Sequence, residues 1–316
     1  MTPPVPEASA SPYDPATTVA LLVTYEPDLE RLKDVLRALA GQGVEVIAID
    51  NGSEHADTAE ALLANAFAAS DQHASFTRLD SNIGLAAAQN LAAEQAWGRG
   101  ATAILLLDQD TVLPAGAVRT LCAAAQMLDA EGARPAAIGP VYFDGTSHRQ
   151  SGAWRAAGWR IGRADFKKRN DVSVAPADFV IASGALIARD VWDAVGGMEA
   201  SLFIDLVDVE WGLRAQGFGF ESYQVADVVI DHRIGEGRVR IGPITAPRHS
   251  PVRNYYWVRN ALTLAKRGAL PKAWRLYFLT RSLAYAGFYP LFGDQRWARL
   301  RHIARGVWDG LLGRLG

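Results

Sequence analysis

With 316 residues, 49% apolar and 21% charged, the chain can bury one large core, or one core plus a helical appendage, and has the composition of an ordinary soluble globular protein. The net charge of -2 hides a polarity: residues 248–316 hold 13 Lys and Arg against Asp294 and Asp309, a surplus of +11 that leaves -13 for the remainder. A basic end suits an anionic surface or ligand, but its confinement to the tail with no nucleic-acid motif argues against DNA or RNA, and a lone Cys122 excludes an intramolecular disulfide.

Residues 1–16, rich in Pro, Ala and Ser without a basic-then-apolar pattern, read as a disordered tail and not as a signal peptide. The run 18–24 predicts a first strand, and Leu29, Leu32, Val35, Leu36 and Leu39 then recur at helical spacing. Segment 44–49 predicts a second strand, 58–69 a helix, 75–79 a third strand, 85–97 an Ala-rich helix and 101–107 a fourth, almost wholly apolar strand. A helix follows from near Pro114. This alternation is the sequence form of a Rossmann-like, mostly parallel sheet flanked by helices. Segment 142–177 is polar and weakly periodic, predicting loop and irregular strand that meets an acceptor. Segment 179–188 predicts another buried strand, 205–216 a short helix, 220–230 a strand, and residues from 251 onward two or three helices. The expected organisation is a nucleotide-binding half at 17–140, an acceptor half at 141–250 and a basic, aromatic helical region at 251–316. No run of about 18 uncharged apolar residues predicts a membrane-spanning helix.

Ligands of open parallel sheets bind at the carboxyl ends of the strands. Those ends carry Thr24-Tyr25-Glu26-Pro27, Asp50-Asn51-Gly52-Ser53, Asn82-Ile83-Gly84 and Asp108-Gln109-Asp110. The last is the sharpest: two carboxylates two residues apart, leaving a buried strand, suit a hard divalent cation such as Mg²⁺ or Mn²⁺. Asp50 is a candidate acceptor for a pyrimidine N–H, and Gly84 permits close backbone approach to a nucleoside. The helix from Leu85 offers its N-terminus to phosphate. Each short motif also has a turn reading, and Gln89 and Asn90 also fit partly exposed helix positions.

Taken in order, Val23-Thr24-Tyr25, Asp50-Asn51-Gly52-Ser53, Asn82-Ile83-Gly84-Leu85 with Gln89-Asn90, Leu107-Asp108-Gln109-Asp110, Ala182-Ser183-Gly184-Ala185, Phe203-Ile204-Asp205-Leu206-Val207-Asp208-Val209-Glu210-Trp211, His232-Arg233-Ile234-Gly235, and Arg253-Asn254-Tyr255-Tyr256 with Arg259-Asn260 resemble the inverting family 2 glycosyltransferases of GT-A fold, especially bacterial rhamnosyltransferase-like members. The resemblance spans about 18–260. It implies that Thr24, Tyr25, Asp50, Asn51, Asn82, Gly84, Gln89, Asn90, Asp108 and Gln109 surround the nucleotide. Asp108, Asp110 and His232 would hold a Mg²⁺ or Mn²⁺ ion. Asp208 would be the catalytic base, with Glu210 next in line to touch the acceptor. The residue before that Asp is often Glu in the family and is Val207 here, so Asp205, three positions away, stays open as the base. Arg238, Arg240, Arg253, Tyr256 and Arg259 are candidates for the diphosphate, against a solvated loop or helix packing.

The implied reaction moves a sugar, rhamnose from dTDP-rhamnose first with UDP-sugars open, to a hydroxyl of a glycan or lipid-linked glycan in cell-surface polysaccharide synthesis. Trp257, Trp274, Trp297 and Trp308 among the basic residues suit an anionic membrane surface on the cytoplasmic side, against plain helix packing. A homo-oligomer stays open. A sugar-phosphate nucleotidyltransferase would need a Gly-rich triphosphate loop after the first strand, and a dinucleotide oxidoreductase a GxGxxG; Thr24-Tyr25-Glu26-Pro27 supplies neither. A non-catalytic membrane-associated binding module would leave Asp108, Asp110 and Asp208 without a shared purpose.

Overall fold

In the computed structural model, which describes residues 11–144, 149–231, 238–241, 244–247 and 250–315, β1 (Thr18–Thr24) is buried at every position. α1 (Leu29–Ala40) starts where the Asp28 side chain accepts from the Glu30 and Arg31 amides, and turns Leu32, Val35, Leu36 and Leu39 inward. β2 (Glu45–Asp50), α2 (Ala56–Phe67), β3 (Ala74–Arg78), α3 (Leu85–Gly98), β4 (Ala103–Asp108) and α4 (Ala117–Ala130) follow. The first four strands pair in parallel in the order β3-β2-β1-β4. The register sets Thr24 opposite Asp50 and Val23 opposite Asp108, so the polar strand ends share one edge. α3 lies close on the sheet because its buried face is mostly alanine: Ala86, Ala88, Ala92, Ala93 and Ala96.

Beyond β4 the sheet departs from the mostly parallel expectation and is mixed. β5 (Pro135–Asp144), β6 (Arg149–Gln150), β7 (Ala153–Ala157), β8 (Arg160–Ala164), β9 (Lys167–Arg169) and β10 (Val172–Ala177) replace the irregular stretch expected over 142–177. β7 and β8 form a separate hairpin. β11 is only Ala185–Ala188, antiparallel to both β4 and β5; residues 179–184, expected as strand, are loop. Gly184 ends that loop at φ +91°, and an added Cβ would lie 2.9 Å from Pro140, so the turn into β11 needs glycine. α5 (Arg189–Val195), α6 (Val207–Gly217), β12 (Glu221–Asp231), β13 (Arg238–Ile241) and β14 (Ile244–Pro247) complete this half. The large sheet runs β3-β2-β1-β4-β11-β5-β12-β10-β9, with β6 added on β5.

The tail boundary also moves. Tyr13 is buried, its carbonyl accepts from Gln126 Nε2 at 2.6 Å, and the Pro12 carbonyl accepts from Thr102 Oγ1 at 2.7 Å, so residues 12–16 belong to the domain. Residues 1–10 lie outside the described residues.

The C-terminal region is three helices: α7 (Pro251–Lys266), α8 (Lys272–Phe292) and α9 (Arg296–Leu312). Ser250 caps α7 and Pro251 opens it, a position where proline's missing N–H costs nothing. α9 approaches α7 through Gly306 and Gly310; added Cβ atoms would lie 2.7 Å from the Tyr255 carbonyl and 2.9 Å from that of Arg259. Trp274 and Phe278 of α8 pack with Ala261 and Leu264, while Tyr285, Tyr289 and Ile303 pack with Val258 and Leu262. Burial of each such side chain contributes roughly 1.5–3 kcal/mol. Trp274, Phe278, Tyr285 and Tyr289 are therefore core, and Trp297 and Trp308 are exposed.

Candidate active site

Four strand ends and one helix start build the site. Asp50 is wholly buried under the edge. Its carboxylate accepts from Thr24 Oγ1 at 2.9 Å, the Ser53 amide at 2.8 Å and Ser53 Oγ at 2.7 Å. It braces two strand ends, and no part of it is open to a base in this structure. Asn51 and Asn82 shape the neighbouring loop. Asn51 Nδ2 donates to Asn82 Oδ1 at 3.1 Å, while Asn51 Oδ1 accepts from the Ile83 amide and Asn82 Oδ1 from the Gly84 amide, both at 2.9 Å. Gly84 sits at φ +91°, and a Cβ there would be 2.6 Å from the Phe203 ring. Phe203 therefore caps the start of α3, and its carbonyl takes the Ala86 amide at 3.4 Å. Tyr25 is exposed. Its backbone is gripped by the Gln109 side chain, which accepts from the Tyr25 amide at 2.7 Å and donates to its carbonyl at 3.1 Å. Gln109 thus welds the ends of β1 and β4.

Asp108 and Asp208 converge. The Ser183 hydroxyl donates to Asp108, and the adjacent Ala182 amide donates to Asp208 Oδ2 at 3.3 Å. Successive residues of one loop therefore hold one carboxylate each. Asp208 lies in the first turn of α6, where its Oδ1 also accepts from the Val209 amide at 2.8 Å. These amides and the helix N-terminus favour the anion. Burial opposes it more strongly, and the nearby Asp108 and Asp205 charges add to it, so the Asp208 carboxyl is pushed up to about 6. That places it within reach of a proton-accepting role near neutrality.

Asp205 is elsewhere. Helix α6 begins only at Val207, and Asp205 and Leu206 both sit at φ +65°, with Phe203 at +66°. The three-apart argument for a common helical face fails because Asp205 is not on the helix. Its carboxylate faces Arg253, with Nη2 2.5 Å from Oδ1 and Nε 3.3 Å from Oδ2. Burial works against the charge on Arg253, but the facing Asp205 carboxylate outweighs it, so the Arg253 guanidinium keeps its proton more firmly than usual.

Three left-handed non-glycine residues in four need outside support. Asn260 gives it: its Nδ2 lies 2.9 Å from the carbonyls of Leu202, Ile204 and Asp205. Arg259 adds bonds to the Ser201 and Leu202 carbonyls at 2.8 and 2.9 Å. Arg259 is 1% exposed, so the expected diphosphate contact is replaced by loop support. Glu210 is likewise 1% exposed and paired with Arg214 and Arg267, which removes it from contact with an acceptor. Gln89 is buried in α3, and its Oε1 has no hydrogen-bond partner in the structure described; Asn90 braces Met198 through two backbone bonds. Tyr256 stacks on Phe203 with centroids 4.7 Å apart.

Asp110 follows β4, and its carbonyl accepts from Arg31 Nε at 2.8 Å. Arg31 also reaches the Asp231 carbonyl at 3.4 Å, and Asp231 bridges to Val112. The end of β12 is thereby held beside the Asp108–Asp110 turn. His232, the next residue, lies outside the described residues, as do the side chains of Arg238 and Arg240, whose backbones are in β13. Among the described residues no three His, Cys, Asp or Glu side chains form a preformed metal cage. The set nonetheless fits a hard cation. Asp108 and Asp110 offer oxygen donors only, and Asp108 is close enough to raise the proton affinity of Asp208, so negative charge gathers at this point. Two carboxylates also match the usual share the protein gives when a substrate's phosphates complete the shell.

Ser183, Phe203, Asn260 and Arg31 carry this geometry without having been assigned roles on sequence grounds. Ser183, Phe203 and Asn260 stood inside the recognised motifs; nothing near Arg31 in sequence distinguishes it.

The family model described as Glycosyl transferase family 2 matches residues 20–195. The dTDP-rhamnosyl transferase RfbF of Shigella flexneri is 31% identical over 265 residues, 80% of this chain and 81% of that protein. The uncharacterized protein Rv1525 of Mycobacterium tuberculosis is 27% identical over 183 residues, 57% of this chain and 62% of its own. A solved structure of GalNAc-T7 with UDP, GalNAc and Mn²⁺ superposes on 94% of this chain with TM-score 0.57 at 15% identity, and this chain spans 56% of that one. That likeness shows a GT-A fold.

Proposed function

The chain belongs to glycosyl transferase family 2, and from that premise we propose that it transfers rhamnose from dTDP-rhamnose to a hydroxyl of a glycan or lipid-linked glycan, with inversion and with Asp208 as base. The donor assignment is supported by the similarity to a dTDP-rhamnosyl transferase over four-fifths of both chains. The observation that carries the chemistry is the convergence of Asp108 and Asp208 on the adjacent residues Ser183 and Ala182. Of the two acids left open as base, Asp208 is favoured because Asp205 is neutralised by Arg253.

In this reading Tyr25 and the Asn51–Asn82 loop face the nucleoside, over the brace formed by Asp50. Asp108 and Asp110 hold Mg²⁺ or Mn²⁺, with His232 as a further ligand on family resemblance alone. When bound, the cation stabilises the charge left on the departing diphosphate. Asp208 takes the proton from the acceptor hydroxyl as that oxygen attacks the anomeric carbon from the opposite face, and a single displacement inverts the centre. Ala182 and Val209 aim the carboxylate through their amides. Arg253 holds Asp205 as an ion pair and so keeps a second free anion out of the cleft. The reaction is assigned to the cytoplasm, at the inner membrane face for a lipid-linked acceptor.

The test is turnover of a nucleotide-sugar panel with Mn²⁺ by the wild type and Asp208→Asn. Release of dTDP from dTDP-rhamnose, abolished in the variant while dTDP binding persists, is expected. Turnover of another donor only would reject rhamnose, and near-normal turnover by the variant would reject Asp208.

A further inference from the structure

We propose that the outward face of α8 and α9 is a docking surface for an anionic lipid bilayer. Both helices pack onto α7, and the sides opposite that packing carry apolar residues that nothing in the fold covers. On α9, Trp297 is 77% exposed and Trp308 62%. They stand 11 residues apart, about three helical turns, and so share one face. Leu300 and Leu311 are exposed on the same side. On α8, Leu276, Leu279 and Leu283 are exposed at helical i, i+3, i+7 spacing. Single exposed apolar residues are ordinary, whereas rows of them mark a surface that meets something.

The charge pattern says what it meets. Arg296 and Arg301 are exposed among the α9 tryptophans and leucines, and Lys272 and Arg281 border the α8 row. From 272 to 315 the sequence holds two acids. Asp294 pairs with Arg299, and Asp309 is 9% exposed and accepts from the Tyr255 hydroxyl at 2.9 Å. A second copy docking through this face would set arginine against arginine, since a two-fold interface uses the same patch on both sides. Lipid phosphates instead meet the guanidinium groups while the indoles sit at the headgroup level. No helix among the described residues is long and apolar enough to cross a membrane, so the helices would lie on the surface. α7, which carries these helices, also carries Asn260, the support of the loop before α6. The docking face thus backs directly onto the part of the molecule that presents Asp208. A membrane-borne acceptor fits this placement, but the inference does not depend on transfer.

The full chain is floated with phosphatidylcholine vesicles with and without phosphatidylglycerol. Co-flotation with the anionic vesicles is expected, at least tenfold above the neutral ones and lost on raising salt from about 0.1 to about 0.5 M. Trp297→Glu combined with Trp308→Glu should lower it at least tenfold while the thermal unfolding midpoint of the free protein is unchanged. Arg296→Gln with Arg301→Gln, a milder pair, should lower it at least fivefold. No flotation with anionic vesicles overturns the proposal, as does flotation that both variants leave intact. A dimer by light scattering that the tryptophan variant splits would also overturn it, assigning the face to a second copy. Neither donor sugar nor acceptor enters the assay, so its outcome is separate from that of the transfer reading.

Discussion

Replacing Asp208 by Asn should make the protein inactive and, at alkaline pH, more stable. Asp208 holds its proton up to about 6 in the fold, against about 3.9 for an unfolded Asp. Such a group favours the fold in acid and loses that contribution as pH rises through its folded value. At pH 8 the ionised carboxylate therefore costs the fold up to about 3 kcal/mol, a ceiling because the side chain is only half-buried. An Asn amide is neutral at every pH, but it has one oxygen for two donors. Either the Ala182 or the Val209 amide loses its acceptor, at about 1 kcal/mol. The net is a gain of about 1–2 kcal/mol at pH 8, or about 2–6 °C in Tm. It shrinks with falling pH and changes sign near pH 4–5. The assay is thermal unfolding of wild type and Asp208→Asn from pH 4 to 8, with EDTA present so that no cation offsets the carboxylate repulsion. A variant that is no more stable at pH 8, or whose advantage is the same at pH 5, would refute the burial argument for this carboxylate.

Other expectations follow from the same geometry. In the wild type, kcat/KM should fall below about pH 6 as Asp208 gains its proton, and an acid limb unchanged in Asp208→Glu would assign it to another group. Asp110→Ala should weaken dTDP binding at least tenfold with Mn²⁺ and little with EDTA, as read by calorimetry. Gly84→Ala puts a Cβ 2.6 Å from the Phe203 ring at φ +91°, and should cost about 2–3 kcal/mol in urea unfolding or displace Phe203 and weaken dTDP binding. Asn260→Ala removes the shared donor from three carbonyls and should cost about 2–4 kcal/mol, with kcat falling more than KM rises.

The nucleotide half was readable because its signals are local. An apolar run such as 103–107 announces a buried strand, and parallel pairing brings the residues after each strand to one edge without further information. The acidic loop was not readable in the same way. Spacing put Asp205 and Asp208 on one helix, and only the left-handed backbone at 203, 205 and 206 separates them. Those conformations are unfavourable for Phe, Asp and Leu and exist because Asn260, more than 50 residues onward, satisfies the carbonyls they turn out. Arg259 and Glu210 misled for a related reason. Charged residues are expected at the surface, yet each is buried against partners distant in sequence: carbonyls at 201 and 202 for Arg259, Arg267 for Glu210. The mixed order of the second half also escaped, because β11 is four residues long and its antiparallel pairing leaves no mark in its own composition.

The dependence of the acidic loop on Asn260 and Arg259 has a consequence for how the molecule can be divided. The segment recognised as family-wide ends at residue 195, short of Asp208, and the two side chains that shape the approach to Asp208 reside in the first helix of the basic end. A fragment cut near residue 250 would keep every described strand together with Asp108 and Asp110, yet the turn ahead of α6 would relax to ordinary backbone angles and carry Asp208 out of line. On the proposed mechanism such a fragment should still bind nucleotide and fail to transfer, an outcome that would make the last 66 residues a working part of the proposed chemistry and not an accessory to it.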